Sequence, residues 1–332
     1  MEFLTDPTIP VAIIEVLIGL FLLSKAADLF VDGAAAVATA ANLSPIVVGA
    51  VVVGFGTSAP ELLVSGIAAS GGDVDLGLGN ITGSNAANVS LVLGVAALIV
   101  PILVTRSVLV REAPLSLASV ALFAFFTIGG FAVWEGIVML LLLVAILAWI
   151  VFGGNEDSVE EVEVDADRSV GQSLGITFFG LVGTVLGAQL MVWGAQAIAL
   201  AAGLSPGFVG FTLIAFGTSL PELVTAFAAA RKGETELILG NLLGSNMFNS
   251  LAVGGVVAIL GAGQFNDRIP ATWGVVSMLI IAVLTWVFMV TRRKITRIEA
   301  IVLLAAYVLS ILLIDEDLGI GQPIRDAISS LA

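Results

Sequence analysis

The stretch GFGTSAPE at Gly54 to Glu61, followed by GNITGSNAAN at Gly79 to Asn88, is written a second time as AFGTSLPE at Ala215 to Glu222 and GNLLGSNMFN at Gly240 to Asn249. The register is constant, because 218−57, 222−61, 245−84 and 249−88 all equal 161. Without gaps the match extends outward, pairing Leu29, Val31 and Gly33 with Leu190, Val192 and Gly194, and LSPIVVG at Leu43 to Gly49 with LSPGFVG at Leu204 to Gly210. Each copy sets a lone carboxylate in apolar surroundings, the pattern of a site duplicated inside a membrane.

Composition supplies the membrane. The chain is 59% hydrophobic and 11% charged with a mean hydropathy of +1.13, far too apolar for a soluble domain. It has no cysteine and no histidine, which excludes disulfides, zinc centres and a Ser/His/Asp triad and leaves oxygen chemistry. Apolar runs of about 20 residues predict helices near 11–31, 44–69, 76–99, 113–130, 134–152, 172–200, 205–230, 236–260, 271–291 and 297–314. The leader MEFLTDPTIP has no basic start, so the first run is expected to be a retained helix. Between the fifth and sixth runs, Gly153 to Ser169 carries seven acids against one Arg and reads as a solvated linker. The expected division is a first five-helix repeat at 1–152, an acidic cytoplasmic linker at 153–170, a second repeat at 171–314 and an extracellular tail at 315–332.

Basic residues orient these spans. Outside the first span, loops on the side of the termini hold two, Arg268 and Arg325. Loops on the other side hold nine: Arg106, Arg111, Arg168, Arg231, Lys232, Arg292, Arg293, Lys294 and Arg297. The positive-inside rule then puts both termini outside and the linker in the cytoplasm. With five spans per half, the second copy must lie upside down relative to the first. The expected fold is an all-α polytopic membrane protein of ten transmembrane helices, built as two inverted five-helix repeats with helices 2 and 7 broken, in the cell membrane. The net charge of −14 and pI near 4.2 offer nothing to nucleic acid, membrane lipid is the expected partner, and no residue pattern implies an oligomeric state.

Thr57 and Ser58 stand four and three residues before Glu61, on one helical face, and Thr218, Ser219 and Glu222 repeat the arrangement. A carboxylate at membrane depth costs roughly 2.5 to 3.5 kcal/mol on insertion scales and faces the bundle interior or a water cavity. Pro60 and Pro221 each remove a backbone donor, and the nearby glycines let the preceding turn unwind, so carbonyls at Gly54 and Ala215 are expected to be freed. Ser84 with Asn88, and Ser245 with Asn249, add hydroxyl and amide oxygens on a second face. This all-oxygen set suits Na⁺ and Ca²⁺ and not soft metals. For Asn80, Asn85, Asn241 and Asn246, ligand roles and bonds to freed backbone remain equally open, while Gly79, Gly83, Gly240 and Gly244 are expected to permit close packing. Lys25 with Asp28 and Asp32 reads as an internally paired charge cluster, since the positions of the two acids become Gln189 and Trp193 in the second copy.

Two glutamates supply a charge of −2, which one Ca²⁺ balances, three Na⁺ over-neutralise and two protons match. An unoccupied pocket leaves two carboxylates repelling each other in low dielectric, so switching is easy only when a substrate neutralises it, as an antiporter requires.

The paired G(T/S)S-x-PE and GSN-xx-N motifs resemble the two alpha repeats of the cation/calcium exchanger superfamily, in its sodium/calcium exchanger branch. The resemblance implies a ten-helix antiporter whose second, third, seventh and eighth helices line the cation sites. Its ligands would fall on Gly54, Thr57, Ser58, Glu61, Ser84 and Asn88, and on Ala215, Thr218, Ser219, Glu222, Ser245 and Asn249. Some relatives carry Asp at one of the positions of Asn88 and Asn249, whereas both are Asn here. Proton-coupled relatives often place an acid soon after the GN of the third and eighth helices, and GNITGSN and GNLLGSN have none. Large regulatory loops of animal members are absent. The expected function is exchange of Na⁺ for Ca²⁺ by alternating access, with no catalysis and no prosthetic group. A Ca²⁺/H⁺ antiporter using the same glutamates is the alternative; a cation channel and an intramembrane hydrolase on Ser58 or Ser219 are remote ones.

Overall fold

A computed structural model describes residues 8–40, 58–153, 169–233, 235–268, 270–315 and 322–323. In chain order its helices are α1 (Thr8–Ala40), α2 (Ala59–Ser70), α3 (Val74–Ile99), α4 (Val108–Phe126), α5 (Val133–Gly153), α6 (Val170–Ala202), α7 (Pro206–Thr218), α8 (Leu220–Lys232), α9 (Thr235–Leu260), α10 (Pro270–Arg292) and α11 (Arg297–Ile314). Among the described residues, seven of these (α1, α3, α4, α6, α9, α10 and α11) are long and apolar enough to cross a membrane. The pair α7 and α8, bent by 41° at the break between them, makes an eighth. The chain is a multi-pass membrane protein.

The bend has a local cause. Pro221 lacks an N–H and withdraws the i→i+4 partner of Gly217, so the helix restarts at Ser219. That residue holds φ −85° and ψ 5°, and Ser58, one repeat earlier, holds φ −99° and ψ 7° ahead of Pro60. Ser58 thus opens α2 in the same backbone conformation; the part of the second predicted helix before Ser58 lies outside the described residues, as do 154–168 of the acidic linker and most of the tail.

The largest differences from the sequence reading lie at the end of α1 and at both ends of α4, which starts at Val108 and not at 113. Helix α1 runs on past residue 31 to Ala40, because the alanine-rich stretch GAAAVATA keeps a strong helical preference after the apolar run ends. Helix α4 ends at Phe126 and not near 130, where Gly129 and Gly130 take φ of 86° and 96° and turn the chain in a conformation that glycine tolerates.

Helices α1 and α6, 33 residues each, span about 50 Å at about 1.5 Å per residue and so must tilt in, or project from, a bilayer core of about 30 Å. They pack antiparallel through small residues. A Cβ at Gly194 would meet the Ala12 carbonyl, one at Gly187 the Leu23 backbone, one at Gly180 the Phe30 backbone and one at Gly33 that of Thr177. In lipid, such close backbone approach replaces the hydrophobic drive between helices. Their outer faces carry Phe21, Leu17, Phe178, Phe179 and Trp193, all exposed.

Helices α3 and α9 form the centre and cross in opposite directions. Asn85 bonds Ser250 and Asn88 bonds Asn246, so partner numbers fall as the first numbers rise. The ends agree. Strand β1 (Ile102–Leu103), after α3, pairs with β2 (Lys294–Ile295), whereas Gly263, after α9, bridges Phe131. Since α4 separates residue 102 from residue 131, α3 and α9 end at opposite ends of the bundle. At the first end Arg297 Nε donates to the Leu98 carbonyl at 3.0 Å, satisfying a helix C-terminus. At the other, Asp75 accepts the N–H groups of Asn266 and Asp267 at 3.1 and 3.2 Å, and Asp267 accepts that of Gly207 at 3.0 Å. Apolar layers flank the centre, with Ile81, Phe123, Met139 and Leu251 on one side and Val92, Leu239, Leu242 and Leu303 on the other.

Candidate ion-binding site

Proline near the first turn starts both α2 and α8 and places Glu61 and Glu222 in those turns, where the helix N-terminus favours negative charge. Both glutamates are 0% exposed. Helix α3 is brought against α7 by glycine: a Cβ on Gly79 or Gly83 would strike the carbonyl of Gly207 or Phe211, and one on Gly210 that of Leu76. This contact carries the hydroxyls of the second copy onto the groups of the first. The corresponding partners of Gly240 and Gly244, at 207−161, 211−161 and 215−161, are residues 46, 50 and 54, outside the described residues.

Ser219 of the second copy donates its hydroxyl to Glu61 Oε1 of the first at 3.5 Å. Ser245 Oγ stands 3.4 Å from Glu222 Oε1. Ser84 Oγ lies 3.4 Å from Thr218 Oγ1 and 3.5 Å from Asn80 Oδ1, and Thr218 donates to Asn80 Oδ1 at 3.2 Å. These contacts are longer than the usual 2.5–3.0 Å of an O–H···O bond. They match the separation of neighbouring oxygens in one coordination shell, about 3.4 Å for ligands at right angles about 2.4 Å from a Ca²⁺.

Among the described residues, several polar atoms here are buried without a hydrogen-bond partner: Ser58 Oγ, Glu61 Oε2, Glu222 Oε2, Asn85 Oδ1, Asn88 Oδ1 and both amide atoms of Asn249. Each orphan costs about 1 to 3 kcal/mol when nothing answers it. Among the described residues no basic side chain pairs with either glutamate; the ion pairs there are Lys25–Asp28 at 3.9 Å and Arg111–Glu112 at 3.2 Å. No group of three or more His, Cys, Asp or Glu forms among them either, so charge in the pocket is limited to the glutamate pair and the remaining donors are neutral oxygens.

A model of the Sodium/calcium exchanger protein family matches residues 11–152 and 172–314. The chain belongs to that family. A membrane protein of uncharacterized role from Methanocaldococcus jannaschii is 38% identical over 89% of this chain and 95% of its own. The sodium/calcium exchanger MaX1 of Methanosarcina acetivorans is 30% identical over 90% of this chain and 97% of its own. Among solved structures, the sodium-calcium exchanger NCX_Mj soaked with 10 mM Na⁺ and zero Ca²⁺ superposes with a TM-score of 0.62 at 34% identity, covering 91% of this chain and 98% of that one. Members of this exchanger family are transporters and not enzymes, which removes the hydrolase reading.

Within this exchanger-family chain, ten of the twelve residues singled out for the site are described, and Gly54 and Thr57 are not. The side chains of Ser58, Glu61, Ser84, Asn88, Thr218, Ser219, Glu222, Ser245 and Asn249 are all buried. The Ala215 carbonyl differs from expectation: it accepts Ser219 N–H at 3.0 Å and Thr218 Oγ1 at 3.4 Å. It is not freed, because Pro221 removes the partner of Gly217, two residues further on. Motif reading missed Ser65 and Ser250. Ser65 accepts Asn80 Nδ2 at 2.9 Å and was legible as the residue four after Glu61, on the same face. Ser250 accepts Asn85 Nδ2 at 3.0 Å. Also unforeseen were π turns at Asn88–Val92, Asn249–Val253 and Gly210–Ile214, the first two again 161 apart, a feature frequent at functional sites. Lys25 and Asp28 lie on α1 with side chains 67% and 69% exposed, away from the pocket.

Proposed function

We propose that the protein exchanges Na⁺ for Ca²⁺ by alternating access, with both cations competing for one pocket shared by the two repeats. The observation that carries this reading is the arrangement of Glu61 and Glu222. They come from opposite copies, are fully buried without a basic partner, and stand among neutral oxygens at coordination-shell spacing. Glu61, Glu222, Ser58, Ser84, Thr218, Ser219, Ser245, Asn88 and Asn249 supply side-chain oxygens, Thr57 and the Gly54 carbonyl complete the first copy, and the Ala215 carbonyl joins by giving up the Thr218 bond. One Ca²⁺ neutralises the pair, and so do Na⁺ ions taken together, whereas the ion-free pocket keeps a charge of −2 that resists translocation.

In this reading the chain makes ten spans, five in 1–152 and five in 171–314, as inverted repeats, with helices 2 and 7 broken before Pro60 and Pro221. The linker at 153–170 is cytoplasmic, and both termini and the tail at 315–332 are extracellular. The antiparallel crossing of α3 and α9 and the bias of basic residues support it.

The test is efflux of ⁴⁵Ca²⁺ from proteoliposomes under an imposed Na⁺ gradient or an imposed pH gradient. Efflux following the Na⁺ gradient at fixed pH is expected. Efflux that follows only the pH gradient would establish the Ca²⁺/H⁺ alternative, and Ca²⁺ current with no counter-ion would mark a channel.

A further inference from the structure

The two central asparagines, 161 residues apart, are held differently. Where the π turn Asn88–Val92 begins, the helical ladder changes from i→i+4 to i→i+5, and two carbonyls on the turn before it accept side-chain donors. Ser90 donates its hydroxyl to Ala86, and Asn246 donates Nδ2 to the Asn85 carbonyl at 3.0 Å. A backbone carbonyl only accepts, so this contact fixes which end of the Asn246 amide is which. Its Oδ1 must then face Asn88, whose Nδ2 stands 3.1 Å away, and an acceptor there admits only the nitrogen of Asn88. Asn88 Oδ1 is turned the other way, buried and without a partner.

We propose that Asn246 is a positioning residue: anchored on the Asn85 carbonyl, it locks the Asn88 amide with its oxygen presented to the transported cation. Flipped, Asn88 would offer an NH₂ group and repel the ion. The lock gives the pocket an oriented neutral ligand without adding a third negative charge. Among the described residues Asn249 has no such anchor. Asn85, the residue that would hold it by the repeat, spends Nδ2 on Ser250 Oγ, and both amide atoms of Asn249 are unpartnered. The cation pocket is thus fixed on the Asn88 side and adjustable on the Asn249 side.

This inference rests on the proposed cation pocket and is tested by equilibrium binding of ⁴⁵Ca²⁺ to the purified protein, not by flux, so that a failure of Na⁺ coupling leaves it standing. Asn246→Leu is expected to weaken Ca²⁺ binding by about 10- to 100-fold, the usual effect of removing a partner that orients a ligand. In an Asn88→Ala background the same substitution should have little further effect, because there is no amide left to orient. A merely structural role would instead give the same loss in both backgrounds. Should Asn246→Leu fail to elute as a monodisperse protein, Asn246→Ser serves, its hydroxyl being too short to bridge the Asn85 carbonyl and the Asn88 amide together. Wild-type affinity in the Asn246 variants, or equal losses with and without Asn88, would overturn the proposal while leaving exchange intact; a wild-type protein that binds no Ca²⁺ would sink both.

Discussion

Helices α3 and α9 and helices α1 and α6 are both pairs related by the 161-residue repeat, yet they have diverged to different degrees. In the central pair Gly79, Asn80, Gly83, Ser84, Asn85 and Asn88 recur identically as Gly240, Asn241, Gly244, Ser245, Asn246 and Asn249. In the outer pair Asp28 and Asp32 become Gln189 and Trp193. Surroundings explain the difference. In their most apolar windows, α3 and α9 bury 83% and 78% of residues, whereas α1 and α6 each bury 33%. Side chains of the central pair touch those of the opposite copy, as Asn88 touches Asn246, so a change in either copy breaks a contact made by the other. Contact between α1 and α6 is backbone against small residue, which constrains spacing on one face and leaves the lipid face free to vary.

Substitutions can break this contrast. The largest effect is expected from Glu61→Gln or Glu222→Gln, each of which should abolish Na⁺-dependent ⁴⁵Ca²⁺ flux, and wild-type rates in both would refute the paired-carboxylate account. Next comes Gly83→Val, whose side chain would collide with the Phe211 carbonyl and the Ala215 Cβ; overpacking of this kind costs about 1 to 3 kcal/mol. It should lower the thermal midpoint in detergent and slow exchange together. An unchanged midpoint would show that α3 and α7 do not meet at Gly83. Lys25→Met and Asp28→Asn, on the exposed face of α1, should leave stability within about 0.5 kcal/mol and flux within about twofold. A severe flux defect would give α1 a part in ion passage that its exposure argues against.

The smallest effect concerns pH. Asp73 caps α3 through Leu76 N–H at 3.3 Å and accepts Gln196 Nε2 at 3.1 Å. Burial pushes its carboxyl above the ordinary range, against the pull of those two bonds. A raised value in the fold means that stability is lost as pH climbs from the ordinary carboxylate value through the raised one. Asp73→Asn keeps a good cap without the charge. It should therefore match the wild type below about pH 4 and exceed it slightly at neutral pH, as read by thermal unfolding at several pH values. A variant less stable at neutral pH than at pH 4, relative to wild type, would reverse the sign.

The helices and the pocket were legible to different depths. Apolar run length gave the positions of α3, α6, α9 and α11 closely, because in lipid an uninterrupted helix is the form that satisfies its own backbone. Duplication singled out the candidate pocket residues, since Glu61 and Glu222 make no sense on an apolar face in two copies, and the structure buries both of them. Hidden from the sequence were features set by contact between copies. Whether Asn246 would serve as a ligand or bond the backbone depended on which carbonyl of α3 it meets across the bundle, the Asn85 carbonyl at 3.0 Å, which neither propensity nor spacing encodes. The occupied Ala215 carbonyl likewise depended on where the break fell relative to Pro221. The extension of α1 to Ala40 was masked because its alanines carry a weaker hydropathy signal than the run before them.

The central claim is that two antiparallel copies build one shared pocket and not two. Ca²⁺ binding stoichiometry, measured by equilibrium dialysis on the purified wild type and on Glu61→Gln and Glu222→Gln separately, tests it most directly. The account predicts that either single substitution removes Ca²⁺ binding altogether and that Na⁺ displaces Ca²⁺ from the wild type. Retention of half the bound Ca²⁺ in each variant would mean two independent sites, one per repeat, and would contradict it.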